Sequence, residues 1–336
     1  MLNFDEARFV ASQEGALAHG QGLYDAVAAH LHEGGDSLFF LGAGGAGILM
    51  EPATALLTRK STFDALCLAP AELMALGCER LSDRSLVVIP SRSGDTSESL
   101  DVLAYAKKAG ATVLALTGTP NSPLAQQADL NFTNPVADDN SSESFYLQSL
   151  LIALAVMDVR GEQSDFHATL ATLEALPQQL LEAKRTFEAR APEFAAAIAA
   201  APYHLIVGAG SSWPEAFYYG MCILEEMQWI RTRPVNAAHF FHGPLELVEP
   251  GVSCLLMKGE DGSRSLVDRV ERFLDEYGAT SNVLDTKEIG TDVAENVRAL
   301  ISPVLLATVL ERVSAHLEVL RDHPLTTRRY YRRVNY

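Results

Sequence analysis

Cysteine is scarce in this sequence and nowhere clustered. The four are Cys67, Cys78, Cys222 and Cys254, and no two form a Cys-x-x-Cys pair. That excludes a zinc ribbon and offers no disulfide framework; reduced core thiols in a cytoplasmic protein are expected. Positive charge is also short, with 26 Lys and Arg against 43 Asp and Glu, a net charge of −17. A general nucleic-acid binder needs a basic footprint, so that class is excluded. The longest apolar runs are broken by Gly, Pro or charge short of a bilayer span, so no membrane segment is expected. The start, Met1-Leu2-Asn3-Phe4-Asp5-Glu6, has neither a basic nor an apolar stretch of the kind that opens a signal peptide. No His, Cys and Asp cluster has metal-ligand spacing, and neither a metal nor another cofactor is expected.

What is present is alternation. At 336 residues the chain is long enough for two domains with cores of their own. Short apolar runs at 38–41, 63–68, 86–89 and 112–116 read as strands. Helical periodicity follows at 48–58, 71–76, 97–108 and near Pro123, and a long apolar helix is expected at 143–159. That order implies an α/β fold, a parallel sheet with helices on both faces. The pattern then restarts, with strands at 203–207, 252–257 and 279–284 and helices at 214–229 and 266–277. An Ala- and Leu-rich helical stretch covers 170–200. Phe40-Leu41-Gly42-Ala43-Gly44-Gly45 and Ile206-Val207-Gly208-Ala209-Gly210-Ser211 repeat one strand-and-turn unit. We read an internal duplication. Domains are expected at 1–160 and 161–336, with the polar stretch Gly161-Glu162-Gln163-Ser164-Asp165 beginning the crossing.

Three segments carry chemistry. Ser91-Arg92-Ser93-Gly94-Asp95-Thr96 joins an apolar strand to a helix. A phosphate there meets exposed backbone N–H groups and the positive helix end. Ser91, Ser93 and Thr96 add hydroxyl donors, and Arg92 a charge-assisted one. Simple N-capping explains one hydroxyl, not three. The turn Gly42-x-Gly44-x-x-Gly47, with Asp64 near the distance of a ribose-binding acid, also fits a dinucleotide fingerprint. The Ser-rich loop and the second-half residues make that the poorer account. In the second half, Glu226 lies among Met221, Ile223, Leu224 and Met227, an apolar face that would partly desolvate a carboxylate and suit it to proton abstraction. Glu225 is its neighbour, and periodicity does not choose between them. His242, in Phe240-Phe241-His242-Gly243-Pro244, is the better acid candidate among nine histidines; His239 is its rival.

With these motifs in view, the chain resembles the double sugar-isomerase (SIS) domain proteins. Its layout is similar to the isomerase half of glucosamine-6-phosphate synthase, and more similar to fructosamine-6-phosphate deglycases. Glu226-Met227-Gln228-Trp229-Ile230, the His-Gly-Pro segment and His323-Pro324-Leu325-Thr326-Thr327-Arg328-Arg329-Tyr330 resemble the fructose-asparagine branch. The resemblance spans nearly the whole chain. It implies two flavodoxin-like SIS domains, and it selects Glu226 over Glu225. It further implies that Glu226 is the carbon-proton base and that His242 opens the sugar ring. Ser91, Arg92, Ser93 and Thr96 would hold the phosphate. Gly44, Gly45 and Glu143 fall on the sugar side, and His239, Arg328 and Arg329 are lid or carboxylate contacts. The family's site lies between subunits of a homodimer, with the His-Gly-Pro loop crossing over.

The chain also departs from its relatives. Ala237-Ala238-His239-Phe240 stands where they often have Ser-Gly-Glu-Phe, and Ala46 where they carry Ser. Leu255-Leu256-Met257-Lys258-Gly259 stands where a second Ser-x-Ser loop would be, so only the first half is expected to hold phosphate. The expected activity is cleavage of a 6-phosphorylated ketosamine, an Amadori compound, to glucose 6-phosphate and a free amine. Amino-sugar-phosphate isomerisation and non-catalytic sugar-phosphate sensing are the alternatives. A four-arginine run, Arg328-Arg329-Tyr330-Tyr331-Arg332-Arg333, is either a solvated tail or a lid over an anionic substrate.

Overall fold

A computed structural model describes residues 1–136, 141–162 and 165–334. Gln163 and Ser164 of the expected crossing lie outside them. The chain forms two compact units, Glu6–Gln178 and a second made of Gln179–Tyr336 with Met1–Asp5. Each is built on one parallel sheet.

In the first unit the strands are β1 (Ser37–Phe40), β2 (Asp64–Cys67), β3 (Ser85–Ser91), β4 (Thr112–Thr117) and β5 (Leu130–Thr133). Their order is β2-β1-β3-β4-β5, all parallel. Helices cover both faces, so a central strand has no solvent side. All seven residues of β3 are buried, which is why it reads as a continuous apolar run. Phe39, Leu41, Val87, Ile89, Val113 and Ala115 share one core cluster.

The second unit carries β6 (Tyr203–Gly208), β7 (Arg231–Asn236), β8 (Ser253–Lys258) and β9 (Thr280–Asp285), in the order β7-β6-β8-β9. Leu205, Val207, Cys254 and Leu256 centre its core. Beneath it runs the 26-residue helix Glu295–Leu320.

Several elements differ from the sequence reading. β5 and β7 escape it because an edge strand pairs on one side only and tolerates polar residues. β7, Arg-Thr-Arg-Pro-Val-Asn, even holds Pro234, which only an edge permits. The stretch 170–200 is cut into three helices, Phe166–Leu173, Leu176–Phe187 and Ala191–Ala200. The helix expected to reach Trp229 runs as Trp213–Tyr218 and then widens into a π-helical turn, Tyr219–Glu225. Two helices, Ser141–Val159 and Glu295–Leu320, are long and apolar enough to span a membrane, contrary to the expectation; 83% of each apolar window is buried. They read as core helices, apolar because they are enclosed by protein on all sides.

Candidate active site

Strand order reverses between β1 and β3, which makes the carboxyl ends of those strands the switch point where open α/β sheets take ligands. Both glycine- and serine-rich segments of the first unit emerge there. After β1, Gly42 packs directly on Gly47: a Cβ on Gly42 would lie 2.4 Å from the Gly47 nitrogen. Gly44 has φ +56°, and a Cβ built on it would meet nothing within 4 Å. Gly45 opens the short helix that follows.

After β3, the buried Ser91 hydroxyl accepts the Gly94 N–H at 3.1 Å and folds the loop back. The loop is stapled to the one after β4. The Arg92 carbonyl accepts from the Gly118 N–H and the Thr119 hydroxyl, both at 3.0 Å, and the Gly94 carbonyl from the Leu124 N–H at 2.9 Å. Thr96 holds the N-cap position of Ser97–Lys108, yet its side chain accepts no cap hydrogen bond. Capping therefore does not consume its hydroxyl; the Ser99 N–H turns back to the Thr96 carbonyl at 3.0 Å, and the Ser97 and Glu98 N–H groups precede the regular hydrogen-bond pattern of the helix. Glu143 is 1% exposed in the first turn of Ser141–Val159.

Gly94 makes this loop testable. Its φ is +65°, and a Cβ there would lie 2.1 Å from Ser122 Oγ. We expect Gly94→Ala to raise KM for a phosphorylated substrate about tenfold, since a left-handed non-glycine residue costs about 1–2 kcal/mol before any clash is relieved. Steady-state kinetics alongside circular dichroism check it.

The dinucleotide reading fails on register. Asp64 is the first residue of β2, opposite Ser37 at the start of β1. It sits at the amino end of the sheet, on the order of 10 Å from the edge where a ribose would lie. There its carboxylate is paired with Arg80.

In the second unit the structure separates the two adjacent glutamates. Glu225 Oε1 accepts from the Thr232 hydroxyl at 2.7 Å and the Thr232 N–H at 3.3 Å, tying the π-helical turn to β7. Glu226 is instead half-exposed and paired with Arg328, whose Nε lies 2.9 Å from Oε1. So its surroundings are not the apolar face alone: a guanidinium from the C-terminal segment stands against it. Arg328 also donates to the carbonyls of Leu325 (2.6 Å) and Thr327 (3.0 Å). The same segment grips the next residues. Gln228 Nε2 donates to the His323 carbonyl at 2.7 Å, the His323 ring meets Trp229 edge-on at 4.5 Å, and Arg329 stacks on Trp229 at 3.8 Å. Trp229 itself has φ +55°. Wide helical turns and positive-φ side chains gather where function demands them. Releasing this strap should be easy. We expect Arg328→Ala to make cleavage within 321–334 in limited proteolysis about fivefold faster, the loss of a part-exposed pair worth about 1 kcal/mol.

His242 and His239 are both exposed, on the turn following β7. Asn236 caps the short helix Ala237–Phe240, and Gly243 takes φ +146°, so the chain reverses immediately after His242. Arg231 and Arg233 are exposed on β7. Glu226 and His242 thus flank opposite ends of one strand. Glu226 precedes its first residue, and His242 follows its last. Six residues of β7 lie between those ends, on the order of 17 Å. Along the chain, β7 lies between the two residues.

The cysteines are all free. Burial pushes the thiols of Cys67, Cys222 and Cys254 up to about 12, which suits inert core residues. Among the described residues, no group of three or more His, Cys, Asp or Glu could hold a metal ion.

Comparison with known proteins gives a consistent picture. Residues 33–158 match the family model described as SIS domain. A fructosamine deglycase of Bacillus subtilis (strain 168) is 29% identical over 307 residues, 90% of this chain and 93% of its own. A fructoselysine 6-phosphate deglycase of Escherichia coli (strain K12) is 26% identical, covering 88% of this chain and 85% of its own. Among solved structures, a candidate phosphosugar isomerase from Salmonella typhimurium LT2 superposes with a TM-score of 0.88 at 25% identity, covering 94% of this chain and 97% of that one.

Proposed function

We propose that this SIS-domain protein is a deglycase that cleaves a 6-phosphorylated ketosamine to glucose 6-phosphate and a free amine or amino acid. The observation that carries the reading is the loop at the β1–β3 switch point, where the Thr96 hydroxyl at a helix N-terminus is not spent on capping, in a chain similar along 90% of its length to a fructosamine deglycase.

The phosphate anchors on Ser91, Arg92, Ser93 and Thr96 and supplies binding energy remote from the reacting carbons. Gly44, Gly45 and Glu143 line the sugar side. His242 protonates the ring oxygen and opens the sugar. Glu226 takes a proton from C1, giving an enaminol, and reprotonation at C2 leaves an imine at C1. Water adds to that imine, and the carbinolamine expels the amine to leave the aldehyde. Each bond made or broken is assisted by a proton transfer to or from a placed group. Arg328 holds Glu226 before substrate arrives; Arg328, Arg329 and His239 then face the anionic parts of the ligand.

We further propose a homodimer in which each site takes its His242 from the partner copy. The placement of Glu226 and His242 at opposite ends of β7 supports this, because one copy's strand lies between its own pair. The order β7-β6-β8-β9 repeats β2-β1-β3-β4, which supports reading the second unit as a second flavodoxin-like SIS domain. Free cysteines support a cytoplasmic location.

The test is a product assay on a panel of fructosamine 6-phosphates. Glucose 6-phosphate and free amine should appear in equal amounts. An isomerised product that keeps its amine, or tight binding without turnover, would replace the deglycase reading with isomerase or sensor.

A further inference from the structure

The two glycine turns are built alike but occupied differently. Gly44 and Gly210 hold matching places after β1 and β6, with φ of +56° and +53°. Over Gly44 the space is open, as described above. Over Gly210 a Cβ would lie 2.2 Å from Ser263 Oγ and 2.5 Å and 2.8 Å from the two oxygens of Asp261. Asp261 and Ser263 belong to the loop between β8 and the helix Arg264–Glu276, the counterpart of the loop between β3 and Ser97–Lys108.

We propose that Asp261 is a built-in occupant of a second oxyanion cradle, a site for a phosphate-class anion that the chain fills with its own carboxylate. One carboxylate oxygen accepts the Ser211 N–H at 2.8 Å; the other accepts the Ser263 N–H at 2.8 Å and the Ser263 hydroxyl. These donors come from a glycine turn and from the start of a 13-residue helix, the two features that make anion sites at switch points. Ser211 Oγ is buried, makes no hydrogen bond, and faces Gly259 at the head of the same loop, 3.1 Å from where a Cβ there would stand. It lies close enough to Asp261 to help hold the carboxylate's charge, without a hydrogen bond of regular geometry. Burial alone would raise the Asp261 carboxyl, but the Ser263 and Ser211 donors hold it below its ordinary value, so the cradle keeps a charge. The neighbouring charges are internally matched: Lys258 with Asp268 and Glu271, Arg264 with Asp285, and Arg298 with Glu260. The second unit thus retains the architecture of a phosphate site while excluding phosphate from it.

Removing the carboxylate should reopen the cradle. Asp261→Ala and Asp261→Ser are titrated with inorganic phosphate by calorimetry, and their folded yield and melting are compared in phosphate and in chloride at equal ionic strength. The expected result is one more phosphate per chain than the native protein binds. If the dissociation constant is about 1 mM, 100 mM phosphate favours the folded variant about 100-fold over chloride. An equal phosphate count in native and variant chains, with folded yields indifferent to the anion, overturns the proposal. The native count reports on the first-unit loop separately: a native chain that binds no phosphate fails the sugar-phosphate reading and leaves this one standing.

Discussion

Glu226→Gln is expected to lower kcat on a fructosamine 6-phosphate by about a thousandfold, the ordinary contribution of a positioned general base. Glutamine keeps the shape and one acceptor oxygen, so Arg328 can still donate from Nε and the C-terminal strap stays seated. KM and the melting temperature should therefore move little. Glu225→Gln is the matched control. Its carboxylate serves Thr232 at the start of β7, so a small loss of stability and near-native turnover are expected. A Glu226→Gln enzyme that retains turnover would remove the base from the mechanism. The same variant tests where the histidine comes from. Two copies related by a two-fold axis, one Glu226→Gln and the other His242→Asn, form one intact site if the imidazole crosses between copies. Random mixing then restores about a quarter of native activity. If base and acid belong to the same chain, mixing restores nothing.

Arg312→Ala should cost about 3–5 kcal/mol of stability in urea denaturation, the usual result of removing the buried member of an ion pair. Arg312 is fully buried within the helix Glu295–Leu320. It donates to Glu188 at 2.6 and 3.1 Å, to the Leu2 carbonyl at 2.6 Å and to Glu311 at 3.2 Å. This knot ties Met1–Asp5 to the second unit. Burial alone would raise the Glu188 carboxyl, but Arg312, the Leu2 N–H and His316 take it from 4.5 down to about 2. A carboxyl depressed on folding stabilises the native state above its unfolded value and loses that support as pH falls through the folded one. The window is thus about pH 4.5 down to about 2, and the loss is up to ~3 kcal/mol. Arg312→Ala should flatten this acid limb as well as lower the plateau. An unchanged limb would show that Glu188 owes its acidity to the other donors.

Much of the first sheet was legible because central parallel strands are buried on both faces and must be apolar throughout; β3 and the helix Ser97–Lys108 are read directly from the letters. The edge strands β5 and β7 were not, since half their surroundings are solvent and their composition is free. The helix Glu295–Leu320 was missed for the opposite reason: enclosed on all sides, it lacks an amphipathic stripe. The phosphate-type loop was legible because its three hydroxyls fall within six neighbouring residues. Arg328 on Glu226 was not, because no local rule links residues 102 positions apart.

By itself, then, the order of amino acids determined the parallel α/β class, the repeated glycine turns and the hydroxyl-rich loop, all of which follow from backbone sterics and burial within a few neighbouring residues. Only the folded chain decided that Glu225 braces β7 while Glu226 faces an arginine, that Asp64 stands at the wrong end of the sheet for a ribose, and that Asp261 fills the second cradle. Those outcomes depend on which distant charges and hydrogen-bond donors packing brings within about 3 Å, and local periodicity carries no record of that.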